Sequence, residues 1–387
     1  MENVFSGLRI PIKSWVKDLE QGALEQAKNL TELPFTMKHI ALMPDAHQGY
    51  GMPIGGVMAT KPGVIVPNAV GVDIGCGMCA VKTDYQADWV TQEEVKAIMG
   101  NVRTMIPLGF NHHSTKQEHS VFALAPDKIP VIAREWEKSH YQLGTLGGGN
   151  HFIELQAGSD GNLWLMIHSG SRNFGYKVAR EYHDKAKELC ERWYVDLPHK
   201  DLSFLPMDDQ AGQEYRDAME YALKFARASR EVMMSRFMDV VSDVLRASVT
   251  MTLDIHHNYA QLEDVHGSPG VVHRKGAILA RLGMTGIIPG SQGTSSFITE
   301  GLGNPESFFS SSHGAGRTMS RSKAKAELNL DEQIKILDDL GVVHGMRNQG
   351  DLDEAPGAYK DIIDVMSQQA DLCRIKVELK PLGVIKA

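Results

Sequence analysis

With 387 residues and a formal charge of −8, the chain has ample sequence for a sizeable core without disulfide staples. Its four cysteines are irregularly spaced, no apolar run approaches the ~20 residues that cross a bilayer, and the first fifteen residues lack a signal peptide's apolar core. These features argue against a disulfide framework and a membrane role, point to a reducing, cytoplasmic setting, and leave any polyanionic partner to a local basic surface.

Residues 38–43 (KHIALM) read as a short buried strand ending in Pro44, Asp45, Ala46 and His47. The GYGMPIGG stretch that follows cannot be a helix interior, because Gly and Pro interrupt it repeatedly. Asp45 and His47 thus stand at a strand end, where functional side chains are displayed, and Asp45 is a candidate for supporting a nearby site. The apolar run 63–70 reads as a buried strand that delivers Asp73, Cys76 and Cys79 into the Gly-rich stretch GVDIGCGMC, 71–79. A carboxylate and two thiols at such a turn suit a metal or a nucleophile; a tight turn with an inert buried thiol fits the segment equally well.

Residues 91–100 open with the capping box Thr91/Glu94 and close on Gly100, which predicts a short helix. The polar segment 111–120, with His112, His113 and His119, reads as a surface loop or lid. In LGTLGGGNHFIEL, 143–155, a glycine cluster leads into Asn150, His151 and a strand carrying Glu154. A second strand, 163–167, delivers His168 into a Gly/Ser turn bearing Arg172. Apolar residues then recur at three and four through 176–194 and 213–248, predicting two helices, with Met219, Ala222, Phe225, Ala226, Val232, Met233, Phe237 and Val240 as a core stripe. With no repeat or linker in view, the expectation is a single α+β domain, residues 1–387, of mixed sheets with a helical insertion at about 174–248.

Residues 249–258 (VTMTLDIHHN) have strand character and end in a His pair, of which only one member can face a given site; spacing does not say which. GVVHRKG, 270–276, sets Arg274 and Lys275 after a strand, and GIIPGSQGTSSF, 286–297, is a Gly/Ser loop able to offer backbone N–H groups to phosphate, without the ending of a P-loop. The segment HGAGRTMSRSKA, 313–324, is Gly-rich and then helix-like, with Arg317, Arg321, Lys323 and Lys325 and no acidic residue through 325. Two arginines four apart at a helix start suit phosphate oxygens; a solvated basic face is the plainer alternative.

Taken together and in this order, GVDIGCGM, LGTLGGGNHFIE, IHSGSR, HHN, HRKGA, PGSQGTSSF, HGAGRTMSR, DEAPGAYKDI and the near-terminal Lys386 resemble the RtcB family of RNA ligases, from Pro44 onward. The resemblance implies a GTP- and manganese-dependent enzyme that joins RNA 3′-phosphate or 2′,3′-cyclic phosphate ends to 5′-hydroxyl ends through a histidine–GMP intermediate. It implies that Cys76 bridges two metal ions, one completed by His168 and His257 and the other by Asp73 and His151, so that His257 is the member of the pair that faces the site. It makes His313 the guanylylated nucleophile, with Asp45 the acidic residue near the metals. Asn150 and Asn258 would hold GTP phosphates, and Glu154, Ser291, Ser296, Tyr359 and Lys386 would surround the guanosine. Arg172, Lys275, Arg317 and Arg321 would bind phosphates of nucleotide or RNA, and RNA ends, with an activating protein in some members of the family, would be the partners.

The residue types suit that chemistry. A neutral imidazole is nucleophilic near pH 7 and its phosphoramidate is labile, so a histidine can carry GMP to an RNA end that lacks a leaving group. Ligand softness alone would favour zinc at a Cys/His site, so manganese rests on the resemblance. Two rival readings use parts of the same set: a two-metal phosphohydrolase, which needs no His313, and a non-catalytic RNA-end binder, which tolerates loss of the metal ligands.

Overall fold

His257 is the single residue between strand Val249–His256 of one sheet and strand Asn258–Asp264 of another, and the rest of the molecule is arranged around that junction. The computed structural model describes residues 1–126 and 128–387. Its larger sheet has seven strands in the order Val249–His256, Gly77–Gln86, Asn162–Ser169, Phe152–Gly158, Cys373–Ile385, Ser296–Gly301 and Thr285–Ile288, every neighbouring pair antiparallel. The six-stranded sheet runs Asn3–Phe5, Ile12–Ser14, Thr36–His47, Ile54–Thr60, Pro269–Lys275, Asn258–Asp264, with one parallel pair, Ile12–Ser14 beside Thr36–His47. The architecture is the expected α+β. Among the described residues no helix is long and apolar enough to cross a membrane.

The strand Asn162–Ser169 shows how the centre of the larger sheet is buried on both faces. Leu163, Leu165 and Ile167 pack with Met233, Phe237 and Val241 of the helix Gln210–Leu245, while Trp164 and Met166 pack on the opposite face with Ile287, Ile298 and Leu379. A period of two along the strand thus feeds two cores, each side chain contributing about 1.5–3 kcal/mol of burial. The Met-bearing stripe of the long helix is core, as its spacing predicts: Met219, Ala222, Phe225, Ala226, Met233, Phe237 and Val240 are buried. That helix starts at an Asp209 cap and ends where Arg246 turns left-handed; its neighbour spans Arg172–Arg192, each beginning a few residues before the expected start.

Four local expectations are corrected. The helix capped by the Thr91/Glu94 box runs on to Met105, because Val95, Ile98, Met99 and Val102 continue its buried face past a Gly100 whose missing side chain faces open space. The run 63–70 is a two-residue strand, Val64–Ile65, followed by the turn Pro67–Ala69, since proline interrupts it. The strand expected at 38–43 extends over Thr36–His47 and includes Asp45. The helix near the second arginine spans only Arg321–Glu327 with Ser320 as its cap, so Arg317 lies in the irregular segment before it.

Candidate active site

Four strand ends in the larger sheet meet at one place. The register pairs His256 with Gly77, Met78 with His168, and Phe152 with His168, so Cys76, His151 and His257, each one residue beyond a strand, gather beside His168. Cys76 Sγ lies 3.3 Å from Nε2 of His151 and 3.3 Å from Nε2 of His168. His168 Nε2 is 3.4 Å from His257 Nε2, and His151 Nε2 is 3.0 Å from Asp73 Oδ2. The sequence Asp73, His151, Cys76, His168, His257 is therefore a continuous row of donor atoms with the thiol at its centre. The donor atoms of Cys76, His151 and His168 all lie within 4.8 Å of one another, and the three residues are buried. Gly170 makes room for the row: a Cβ there would stand 2.2 Å from Asp73 Oδ2.

Electrostatics suit a cation at this row. Burial, reinforced by neighbouring histidines, holds His168 and His257 well below the usual imidazole range, so both are neutral. His168 Nδ1–H donates to the Asn150 carbonyl at 3.1 Å, which assigns the lone pair to Nε2, the atom facing Cys76. Asp73 is held below its ordinary value: burial pushes it up, but hydrogen bonding and charge from His151 outweigh that. Burial, then Asp73, push the Cys76 thiol well up. Among the described residues the Nδ1 atoms of His151 and His257 find no hydrogen-bond partner. His256, the other member of the pair, turns its Nδ1 to Arg230 at 3.2 Å, away from the row.

A cavity of about 670 Å³ opens over this row. His313 lines it, with its ring centroid 4.7 Å from that of His257. Asp45 Oδ2, fully buried, accepts from the His313 backbone N–H at 3.1 Å and from Nδ1–H at 2.7 Å. That carboxylate fixes the ring and its tautomer and leaves Nε2 with its lone pair, an oriented nucleophile.

Asn150 lines the cavity beside the donor row, its carbonyl bonded to His168, and the other end is lined by Glu154, Ser291, Tyr359, Lys386, Arg317 and Arg321. Glu154 is buried, hydrogen-bonded to Gln156, and pushed by burial up to about 8. Glu354, which sequence reasoning did not single out although it stands in the DEAPGAYKDI motif, is the hub of this end. Its carboxylate accepts from Arg317 at 3.2 Å, Arg321 at 3.0 Å, Lys386 at 3.3 Å and the Tyr359 hydroxyl. Burial pushes Glu354 up, but Lys386, Tyr359, Arg321 and Arg317 together hold it at about 2.

Other expected contact residues stand behind the cavity wall or have their polar atoms engaged. Lys275 reaches the lining, yet its ammonium donates to the carbonyls of Tyr50, Met52 and Asn68, and burial lowers it to about 7. Asn258 Nδ2 donates to the Asp73 carbonyl and its Oδ1 accepts from Gly276 N–H, so it braces the turn that carries Asp73 and Cys76. Arg172 is half-buried, with φ +59°, and bonds Thr145 Oγ1 and the Gly109 carbonyl. Ser296 is buried and accepts from Gln156 Nε2 at 3.2 Å, one step removed from the cavity. Cys79 packs in the core among Val81, Ile98 and Ile167.

The family model described as tRNA-splicing ligase RtcB matches residues 26–129 and 120–387. The chain is 36% identical over 401 residues to the RNA-splicing ligase RtcB of Escherichia coli, covering 97% of this chain and 97% of that protein. It is 30% identical over 462 residues to the tRNA-splicing ligase RtcB of Thermococcus kodakarensis, covering 98% and 95% respectively. Against the RNA-splicing ligase RtcB of Mycobacterium tuberculosis the identity is 30% over 432 residues, with 93% and 100% covered.

Proposed function

The chain belongs to the RtcB family, and from that membership we propose that it is a GTP-dependent ligase, active in the cytoplasm in RNA repair or tRNA splicing, that joins RNA 3′-phosphate or 2′,3′-cyclic phosphate ends to 5′-hydroxyl ends. The observation that carries this reading is the Asp45–His313 pair, whose free Nε2 stands on the cavity wall beside the donor row. In the first step Nε2 attacks the α-phosphorus of GTP, an N–P bond forms, and pyrophosphate leaves. The imidazolium that results keeps its Nδ1–H on Asp45, which balances the new positive charge. A 2′,3′-cyclic phosphate end is first opened by water, which breaks the bond from phosphorus to O2′ and leaves a 3′-phosphate; the RNA 3′-phosphate oxygen then takes GMP as the N–P bond breaks, and finally the 5′-hydroxyl, giving up its proton to solvent, attacks the 3′-phosphorus and expels GMP.

The donor row fits divalent cations: Asp73, Cys76 and His151 would hold one, and Cys76, His168 and His257 the other. The softness of the thiolate and imidazoles points to zinc, and manganese is proposed from the family. When bound, such ions neutralise triphosphate charge and act as Lewis acids. Glu154, Ser291, Tyr359 and Lys386 are proposed to surround the guanosine, with Ser296 supporting through Gln156; Asn150 and the two arginines at Glu354 are proposed to meet phosphates. Lys275, Asn258 and Arg172 are better read as braces of the loops that line the cavity.

GTP labelled at the α-phosphate tests the proposal. The intact protein should retain label after denaturation, whereas His313→Ala should retain none and fail to ligate a 3′-phosphate end. The same variant should still ligate RNA already activated as RNA-3′-pp-5′-G, because the imidazole is needed only as carrier. A labelled variant, or one unable to use activated RNA, would show the nucleophile or the order of steps to be wrong. Retained label on the intact protein also decides against the phosphohydrolase and the non-catalytic binder.

A further inference from the structure

Behind the donor row, on the side away from the cavity, the long helix Gln210–Leu245 places one arginine, Arg230, whose side chain is fully buried. All five of its N–H groups are satisfied. Nε and one Nη2 hydrogen go to Asp254, at 2.8 Å and 2.7 Å; Nη1 donates to the Gly75 carbonyl at 2.9 Å and to the Ser169 carbonyl at 2.9 Å; the remaining Nη2 hydrogen goes to His256 Nδ1 at 3.2 Å. Gly75 precedes Cys76, Ser169 follows His168, and His256 precedes His257. The three acceptors other than Asp254 thus belong to the immediate neighbours of three members of the donor row, drawn from one turn and the ends of two separate strands.

An ion pair with Asp254 alone would need two of the five donors. The other three, which need partners as any buried donors do, have a common destination: they set the spacing of the chain segments from which Cys76, His168 and His257 project. A guanidinium does this well because its five donors form a rigid planar fork, and one plane can hold several acceptors at fixed angles. The fork is selective, since none of its hydrogen bonds goes to Asp73, His151 or a residue adjacent to either.

We propose that Arg230 is a positioning residue that holds Cys76, His168 and His257 in ligating geometry, and so governs the metal position completed by His168 and His257 more strongly than the other, which it reaches only through the shared Cys76. The inference rests on the metal-centre reading given above. Its consequence is a difference in affinity between two sites that share a ligand, which general loss of stability would not produce.

Cobalt(II) is the probe, because a thiolate–cobalt charge-transfer band reports ligation by Cys76 without reference to ligase activity. Titration of the intact protein should show two equivalents with that band; its absence would sink the metal-centre reading itself, separately from the role of Arg230. Arg230→Met combined with Asp254→Leu removes both buried charges together, an exchange that buried pairs often tolerate. In this variant, affinity for one cobalt ion should fall about 10–100-fold, the usual cost of losing an outer-shell partner, while the other changes by no more than a few-fold. Arg230→Lys, which keeps the charge but loses the fork, should lie in between. His256→Phe leaves the ion pair untouched and should give the same one-site loss on a smaller scale. The proposal is overturned if the folded variants bind both ions as the intact protein does, or if both affinities fall equally.

Discussion

The residues proposed to do chemistry are distinguished less by their type than by what holds their other atoms. His313 and His168 each have Nδ1 engaged, by a carboxylate in one case and a carbonyl in the other, which leaves the lone pair on Nε2 in both. Glu154 is the residue whose state should change most on binding. Burial raises it from 4.5 to about 8, so between those values the folded protein keeps a proton that the unfolded chain has lost. Its contribution to stability is therefore complete at acid pH and falls as pH rises through that window. Guanine offers N1–H and N2–H donors, which favour the carboxylate, so binding of GTP should release about one proton at pH 7 and none above about pH 9. Calorimetry in buffers of different ionisation enthalpy should detect the release in the intact protein and its loss in Glu154→Gln, the titration of the nucleotide phosphates cancelling between the two. Equal proton release in both would remove Glu154 from the guanine site. The sequence let the donor row be chosen only through the family resemblance: spacing left His256 and His257 equivalent, and it is Arg230, 26 residues away from His256, that takes one of them out of the site. Glu354 escaped notice because its four partners come from 317, 321, 359 and 386, which no local pattern joins.

At the level of elements, the strands and long helices were legible because they obey periods of two and 3.6, and because each face of the larger sheet has its own core. What was not legible is how the glycine-rich turns fit against them. Gly75 has φ +75°, and a Cβ there would stand 3.0 Å from Ala226 Cβ and 3.1 Å from Leu223 Cα, atoms of the long helix that also carries Arg230. The turn bearing Cys76 therefore lies flat on that helix, and a side chain would lift it. Gly75→Ala combines left-handed backbone strain of about 1–2 kcal/mol with overpacking of about 1–3 kcal/mol. It should lower the stability read from the urea midpoint by about 2–5 kcal/mol and weaken metal binding, whereas Gly100→Ala, in an exposed helix interior, should raise stability by about 0.5–1 kcal/mol. A Gly75→Ala protein as stable as its parent would show that the turn has room to move away from the helix.

Across the whole molecule, a chain of charge −8 brings three cations, Arg317, Arg321 and Lys386, together at Glu354 on the cavity lining. In the primary sequence the stretch 313–325 looks like an unopposed basic face, but in the fold every one of its cations meets an acid. Arg317 and Arg321 share Glu354, Lys323 lies 3.8 Å from Glu327, and Lys325 lies 3.3 Å from Asp353. The exposed Lys323–Glu327 pair contributes little energy and little net field, so Lys323 is a poor candidate for an RNA contact. Arg321 is different: it is half-exposed at the cavity edge, and an entering phosphate can replace part of its contact with Glu354. If RNA ends place two phosphates against Arg317 and Arg321, the logarithm of affinity should fall with the logarithm of salt with a slope of about −1.4, since single strands release about 0.7 counterion per contact. Arg321→Gln should reduce the slope to about −0.7, while Lys323→Gln should leave it within error, measured by fluorescence anisotropy with a 3′-phosphate oligonucleotide. A slope unaffected by Arg321→Gln, or an affinity independent of salt, would place the RNA phosphates elsewhere on the surface.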